Sequence, residues 1–209
     1  MTAKELKRLI QQGESQTLDF KKTVSRADKI AKTLAAFANT KGGVLAIGVL
    51  DNGRIIGTNA EEEVFMLQEA AQHHCRPPVN ITFFEVEDEE GHAVLLADIP
   101  ESRKKPHIAH YKKGDWQPYV RMNDKSVLAS KDIVKRWKKG VKGKRGKLSK
   151  EGKAVISFLE KNERITVKTL AQLINISTRR AKKLLIAMCQ DGWLLSHSFE
   201  REDFYTLLE

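Results

Sequence analysis

The sequence predicts an α+β protein, with a mixed-sheet N-terminal domain and a smaller C-terminal winged helix-turn-helix domain. Three observations point there. Over the first 137 residues helical and β-like patterns are mixed with hairpin signals rather than strictly alternating. Residues 138–150, KKGVKGKRGKLSK, hold seven Lys or Arg, three Gly and no acid, which reads as a basic flexible linker. Beyond it, residues 151–209 carry a helix, a tight turn, a basic helix and a hairpin, the order of a winged helix-turn-helix.

The elements follow from local pattern. Thr2-Ala3-Lys4-Glu5 has the T-x-x-E spacing of a capping box, and Leu6, Leu9 and Ile10 give the next helix one apolar face, stopped by Gly13. Leu18-Asp19-Phe20-Lys21-Lys22 alternates like the edge of a sheet. Residues 27–39 form a patterned helix on Ile30, Leu34, Ala35, Phe37 and Ala38. Lys41-Gly42-Gly43 turns into residues 44–50, whose unbroken apolar run predicts a buried strand. Asp51-Asn52-Gly53 is a hairpin turn signal, with return at 54–57. A helix over 60–75 ends at Pro77-Pro78. Strands at 81–84 and 93–97 flank an acidic turn. A loop rich in Arg, Lys and His (103–114) leads to a segment at 118–122 and a helix over 130–138.

In the C-terminal domain Leu170, Leu173 and Ile174 place an apolar stripe on a short helix that Asn175-Ile176-Ser177 breaks. The second helix turns Ala181, Leu184, Leu185 and Met188 inward, and Ser177 or Thr178 can cap it. Its first exposed turns hold Thr178, Arg179, Arg180, Lys182 and Lys183, and Asp191-Gly192 ends it. Runs at 193–195 and 204–208 supply the hairpin.

Charge is unevenly placed. The net charge is +10 and the isoelectric point near 9.6. Residues 138–209 hold 16 Lys and Arg against 8 acids, whereas residues 1–137 hold 21 against 19. The basic third is the one with the helix-turn-helix, which predicts a polyanion partner there. Cys75 and Cys189 fall in different domains, so a disulfide framework is not expected and a reducing cytoplasm is. No apolar run approaches the roughly 20 residues that span a bilayer, and the N-terminus is unlike a signal peptide. No membrane association is expected.

In the first domain, Glu14-Ser15-Gln16-Thr17-Leu18-Asp19-Phe20-Lys21, then Ala36-Phe37-Ala38-Asn39-Thr40-Lys41-Gly42-Gly43 and Gly48-Val49-Leu50-Asp51-Asn52-Gly53, resemble the Schlafen AlbA-type domain, a divergent AAA-like domain often labelled DNA-binding in bacteria. Pro106 and Pro118-Tyr119-Val120-Arg121 look like its C-terminal half, so the resemblance covers about residues 10–137. It implies a bacterial regulator, since such members often pair this domain with a C-terminal helix-turn-helix. It also implies an alternative. In ribonuclease members, acids at positions matching Glu14, Asp19 and Asp51 form a metal-dependent trio that cuts RNA. Carboxylates brought together can hold Mg²⁺ or Mn²⁺ and activate water. The chain departs from that pattern at Asp19, where the family usually has Glu.

The residues carry plainer readings as well. Asn39, Gly42 and Gly43 offer a turn whose amides could cradle a phosphate, or simply a tight entry into a buried strand. The full G-x-x-x-x-G-K-[ST] pattern is absent, which argues against an ATPase. Glu14 can cap or pair with a lysine, Asp19 can pair with Lys21 or an arginine, and Asp51 can bond its own turn. His73-His74-Cys75 lacks a second ligand pair at zinc spacing. Trp116, Trp137 and Trp193 read as core or interface anchors, and base stacking by any of them depends on exposure.

The expectation is a cytoplasmic, homodimeric DNA-binding regulator rather than an enzyme, needing no cofactor and acting on double-stranded DNA. Thr178, Arg179, Arg180, Lys182 and Lys183 would meet the major groove, with linker Lys142, Lys144 and Arg145 on phosphates. The alternative is a metal-dependent endoribonuclease acting on structured RNA through Glu14, Asp19 and Asp51, with Mg²⁺ or Mn²⁺.

Overall fold

Helix α1 (Ala3–Ile10) starts at a complete capping box. The Glu5 amide donates to Thr2 Oγ1 at 3.3 Å, and the Thr2 amide donates to Glu5 Oε2 at 2.7 Å. The computed structural model describes residues 1–112, 114–139, 147–197 and 203–207. Two units divide the chain, Met1–Ala129 and Ser130–Glu209.

In the first unit α1 is followed by β1 (Leu18–Lys21), α2 (Ala27–Asn39), β2 (Gly43–Ile47), α3 (Ala60–His73) and β3 (Cys75–Arg76). Then come β4 (Thr82–Glu87), β5 (Ala93–Ile99), β6 (Ile108–Lys112), β7 (Asp115–Met122) and β8 (Lys125–Leu128). One sheet has the order β1-β2-β5-β4. β1 runs parallel to β2, with Leu18 opposite Val44 and Lys21 opposite Ile47, and the other pairs are antiparallel. The sheet is therefore mixed. A second, antiparallel sheet has the order β3-β6-β7-β8.

The continuous apolar character of β2 and β5 has a direct cause: both faces of their sheet are covered. Leu45, Ile47, Leu95, Ala97 and Ile99 pack into one core with α2 and α3. Ala46, Val94 and Leu96 face the other way, against Leu6, Ile10, Leu18 and Phe20. Gly43 sits where α2 turns into β2. A Cβ there would lie 2.5 Å from the Phe37 ring, so the close helix–strand packing requires glycine.

The fold differs from the sequence reading in several places. The stretch read as a loop at 103–114 contains β6. Of its residues, Ala109 is fully buried, and ladder partners on β3 and β7 define the strand more than its own pattern does. β4 runs on to Glu87. The return at 54–57 is a single bridge, Val49 to Ile55. The helix read as 60–75 stops at His73, and Cys75 begins β3. Asp19 does not alternate outward: it is buried along with Leu18 and Phe20.

The second unit holds α4 (Lys131–Lys139), α5 (Lys150–Leu159), β9 (Ile165–Thr166), α6 (Val167–Leu173), α7 (Thr178–Gln190), β10 (Leu194–His197) and β11 (Phe204–Leu207). Its three strands pair in the order β10-β11-β9, all antiparallel. Val155, Leu159, Ile165, Leu170, Ala181, Leu185, Met188, Leu194 and Tyr205 form its core. α4 packs on β10, whereas the sequence reading grouped that helix with the first domain. The apolar stripe expected on α6 is narrower than predicted, because Leu173 points outward at 45% exposure.

Candidate functional site

The second unit presents a basic helix. Asn175 takes a left-handed conformation (φ 52°) between α6 and α7, and the Ile176 amide donates back to the Ala171 carbonyl at 3.0 Å. The chain thus turns within three residues. Ser177 then caps α7, its Oγ accepting from the Arg180 amide at 3.3 Å. Ala181, Leu185 and Met188 are buried, which fixes the helix by one face. That geometry leaves Thr178, Arg179, Arg180, Lys182 and Lys183 all exposed. The structure brings these five residues together on one solvent-facing surface with no acid among them. Lys142, Lys144 and Arg145 lie outside the described residues.

The first unit holds the three acids, and it does not bring all three together. Leu18 and Phe20 of β1 point into the core, so Asp19 and Lys21 share the opposite face. There Arg121 of β7 donates from Nη2 to Asp19 Oδ1 at 2.8 Å, and both residues are only 3% exposed. Lys21 Nζ forms an ion pair with Asp19 Oδ2 at 3.0 Å. Glu14 Oε1 accepts from the Phe20 amide at 2.8 Å. Burial pushes the Glu14 carboxyl above its usual value; the Phe20 amide opposes this, and the neighbouring Asp19 carboxyl adds to it. Glu14 and Asp19 are therefore adjacent. Asp51 instead lines a cleft of about 680 Å³ with Lys7, Ile10, Arg54, Asp88 and Glu90, and neither Glu14 nor Asp19 lines it.

A Mg²⁺ or Mn²⁺ ion needs several carboxylate oxygens that converge with free lone pairs. Here Asp19 is committed to Arg121 and Lys21, Glu14 to the Phe20 amide, and Asp51 stands in another cleft. Among the described residues no group of three or more His, Cys, Asp or Glu side chains is arranged to hold a metal. These residues, as placed, do not fit a divalent ion.

The turn considered for phosphate is also occupied from within. Asn39 is buried; its Nδ2 donates to the His107 and Tyr119 carbonyls at 2.7 and 2.8 Å, and its Oδ1 accepts from the His107 amide at 2.7 Å. The Gly42 amide donates to the Phe37 carbonyl at 2.9 Å. A Cβ on Gly42 would lie 2.6 Å from the Ile99 carbonyl oxygen. Asn39, Gly42 and Gly43 therefore join α2 to both sheets, with the Asn39 side chain and the Gly42 amide bonded within the fold rather than presented to a phosphate.

Besides His107 and His197, two further polar residues that the sequence does not single out are buried. Arg121 donates to Asp19 and to the Ser15 and Leu18 carbonyls and lies over the Phe37 ring, 4.9 Å from its centroid. The signal was an arginine inside an apolar strand, Tyr119-Val120-Arg121-Met122, which must find an acid. Glu63 on α3 is the other. It accepts from the Val24 amide at 2.8 Å and from the Thr58 and Thr23 hydroxyls, tying the start of α3 to the segment before α2. Its signal was weak, since Glu61-Glu62-Glu63 reads as an acidic first turn.

No helix among the described residues is long and apolar enough to cross a membrane. No curated protein matches the chain. Among solved structures it is similar to the DIP2311 protein of Corynebacterium diphtheriae, with 22% identity and a TM-score of 0.46 over 70% of this chain and 29% of that one. It is also similar to the N-terminal domain of a RecG-related protein of Nitrosomonas europaea, with 20% identity and a TM-score of 0.40 over 48% of this chain and 74% of that one. The chain thus spans under a third of the first of these proteins. The family model described as Schlafen, AlbA_2 matches residues 14–130, more than half of the 209 residues. With both sheets of the first unit inside that match, the chain belongs to the Schlafen AlbA_2 family.

Proposed function

We propose that this protein is a cytoplasmic, homodimeric DNA-binding transcriptional regulator whose second unit is a winged helix-turn-helix. One observation carries the reading: α7 exposes Thr178, Arg179, Arg180, Lys182 and Lys183 together, while its opposite face is locked into the core. A helix held in this way can enter a major groove with its N-terminal residues at base edges. Arg179 and Arg180 offer the planar fork that grips guanine O6 and N7. Lys182, Lys183 and linker residues Lys142, Lys144 and Arg145 supply phosphate contacts. The β10–β11 hairpin is the wing. Membership of the Schlafen AlbA_2 family suggests nucleic-acid binding in general and supports the same class of partner.

The test is selection of a preferred duplex from random DNA, followed by binding across a salt series. Enrichment of one sequence is expected. With about six phosphate contacts, log K against log salt should fall with a slope near −5. If selection enriches nothing, the sequence-specific regulator is wrong. The alternative, a metal-dependent endoribonuclease, draws on Glu14, Asp19 and Asp51 and is weakened by the commitment of Asp19 to Arg121. RNA cleavage with Mn²⁺ that Glu14→Ala abolishes would restore it.

A further inference from the structure

The second sheet of the first unit has one covered face and one open face. Cys75, Ala109 and Tyr119 point toward α2 and are buried with Ala31, Leu34 and Phe37. Alternation then sends Arg76, Ile108, His110, Trp116 and Pro118 to the other face. Arg76 is exposed and the other four are half-buried. The planar groups among them already touch one another, Arg76 lying over the Trp116 ring and His110 tilted 56° against it. The Arg76 guanidinium carbon lies 4.0 Å from the Trp116 ring centroid. Trp116 and His110, which are cross-strand partners, have centroids 4.3 Å apart. His74 continues the row, edge-on to His110 at 5.9 Å.

We propose that this open face of the β3–β6–β7 sheet binds single-stranded nucleic acid, by stacking unpaired bases on Arg76, Trp116 and His110. Every base has a π-face, and an aromatic ring or a guanidinium plane receives it without reading sequence. The exposed position of Arg76 puts a positive charge at the end of the row, and exposed Arg103 and Lys104 stand in the loop that leads into β6. A purely apolar partner would leave those charges unanswered, whereas a phosphate backbone complements them. Duplex bases are stacked on one another and cannot use this face. Single-strand binding by this face thus does not depend on duplex binding by α7.

Full-length protein is titrated with labelled 12-nucleotide oligo-dT and oligo-U and with a duplex of equal length. Intrinsic fluorescence is recorded in parallel. Single strands of either sugar should bind and quench fluorescence. Trp116→Ala should weaken single-strand binding about tenfold and Arg76→Ala about fivefold, with duplex affinity unchanged within twofold. Trp116→Phe should keep most of the affinity but lose most of the quench, because the reporter ring is gone while a stacking surface remains. Arg179→Ala should show the reverse pattern, losing duplex binding only. Arg76 is exposed, so its variant decides the matter even if Trp116→Ala fails to fold. The proposal is overturned if the parent binds no single strand. It is equally overturned if Arg76→Ala and folded Trp116→Ala bind single strands within twofold of the parent. If Trp116→Ala instead converts a dimer to a monomer with single-strand affinity intact, the face is a protein interface and the proposal fails.

Discussion

Arg121 and Asp19 stand 102 positions apart in sequence and 2.8 Å apart in space, joining the two sheets of the first unit through a buried ion pair. A charge this far from solvent is tolerable only with its partner in place. Arg121→Ala or Asp19→Ala should therefore each cost about 3–5 kcal/mol, measured by urea unfolding. The double variant Asp19→Leu with Arg121→Met should recover most of that loss, because no charge is left stranded. If the single variants cost less than about 1 kcal/mol, the pair does not join the sheets.

Asn39 makes three hydrogen bonds to backbone groups of His107 and Tyr119. Replacing it with Ala leaves a buried amide and two buried carbonyls without that partner. A loss of roughly 3 kcal/mol is expected, at about 1 kcal/mol or more for each stranded group. Asn39→Asp should also destabilise, since a carboxylate can accept from the His107 amide but cannot donate to either carbonyl. Thermal melting of both variants checks this. A melting temperature unchanged by Asn39→Ala would show that water satisfies the site.

His197 in β10 is 4% exposed, stacks on Phe204 and has its Nε2 3.0 Å from Thr206 Oγ1, while Nδ1 has no hydrogen-bond partner among the described residues. Burial pulls its pKa down to about 4. The folded state therefore resists protonation, whereas the unfolded chain takes up the proton near pH 6.5. Stability from this group is full above about pH 6.5 and falls as pH drops from there toward 4, by up to about 3 kcal/mol. His197→Gln should flatten that slope while lowering stability at neutral pH. Unfolding between pH 7.5 and 4.5 is the measurement, and parallel slopes for parent and variant would exclude His197 as the cause.

Base reading and phosphate attraction can be separated on and beside α7. Arg179→Ala or Arg180→Ala should cost roughly 1–3 kcal/mol on the preferred duplex and relax specificity there. Lys142→Ala should weaken all sequences about equally and lower the salt slope by about one. Equal sequence preference in the parent and both arginine variants would leave only non-specific attraction.

Local sequence determined most of the elements and the basic face of α7. The capping box at Thr2, the boundaries of α2, the turn at Asn175-Ile176-Ser177 and the cap by Ser177 follow from residues within one or two turns of each other. The exposure of Arg179, Arg180, Lys182 and Lys183 follows too, since 3.6-residue periodicity sets them opposite Ala181, Leu185 and Met188. Tertiary structure decided the rest. Glu14, Asp19 and Asp51 look alike in sequence, as acids beside turns and strands, yet they meet different fates. Asp19 faces Arg121 only because two sheets pack on α2, and a pairing across 102 residues leaves no periodic trace. β6 was hidden for the same reason, its ladder partners lying on β3 and β7 rather than in its own pattern. The open row of Arg76, Trp116 and His110 likewise required three strands to come together before any one of those residues had a face to share.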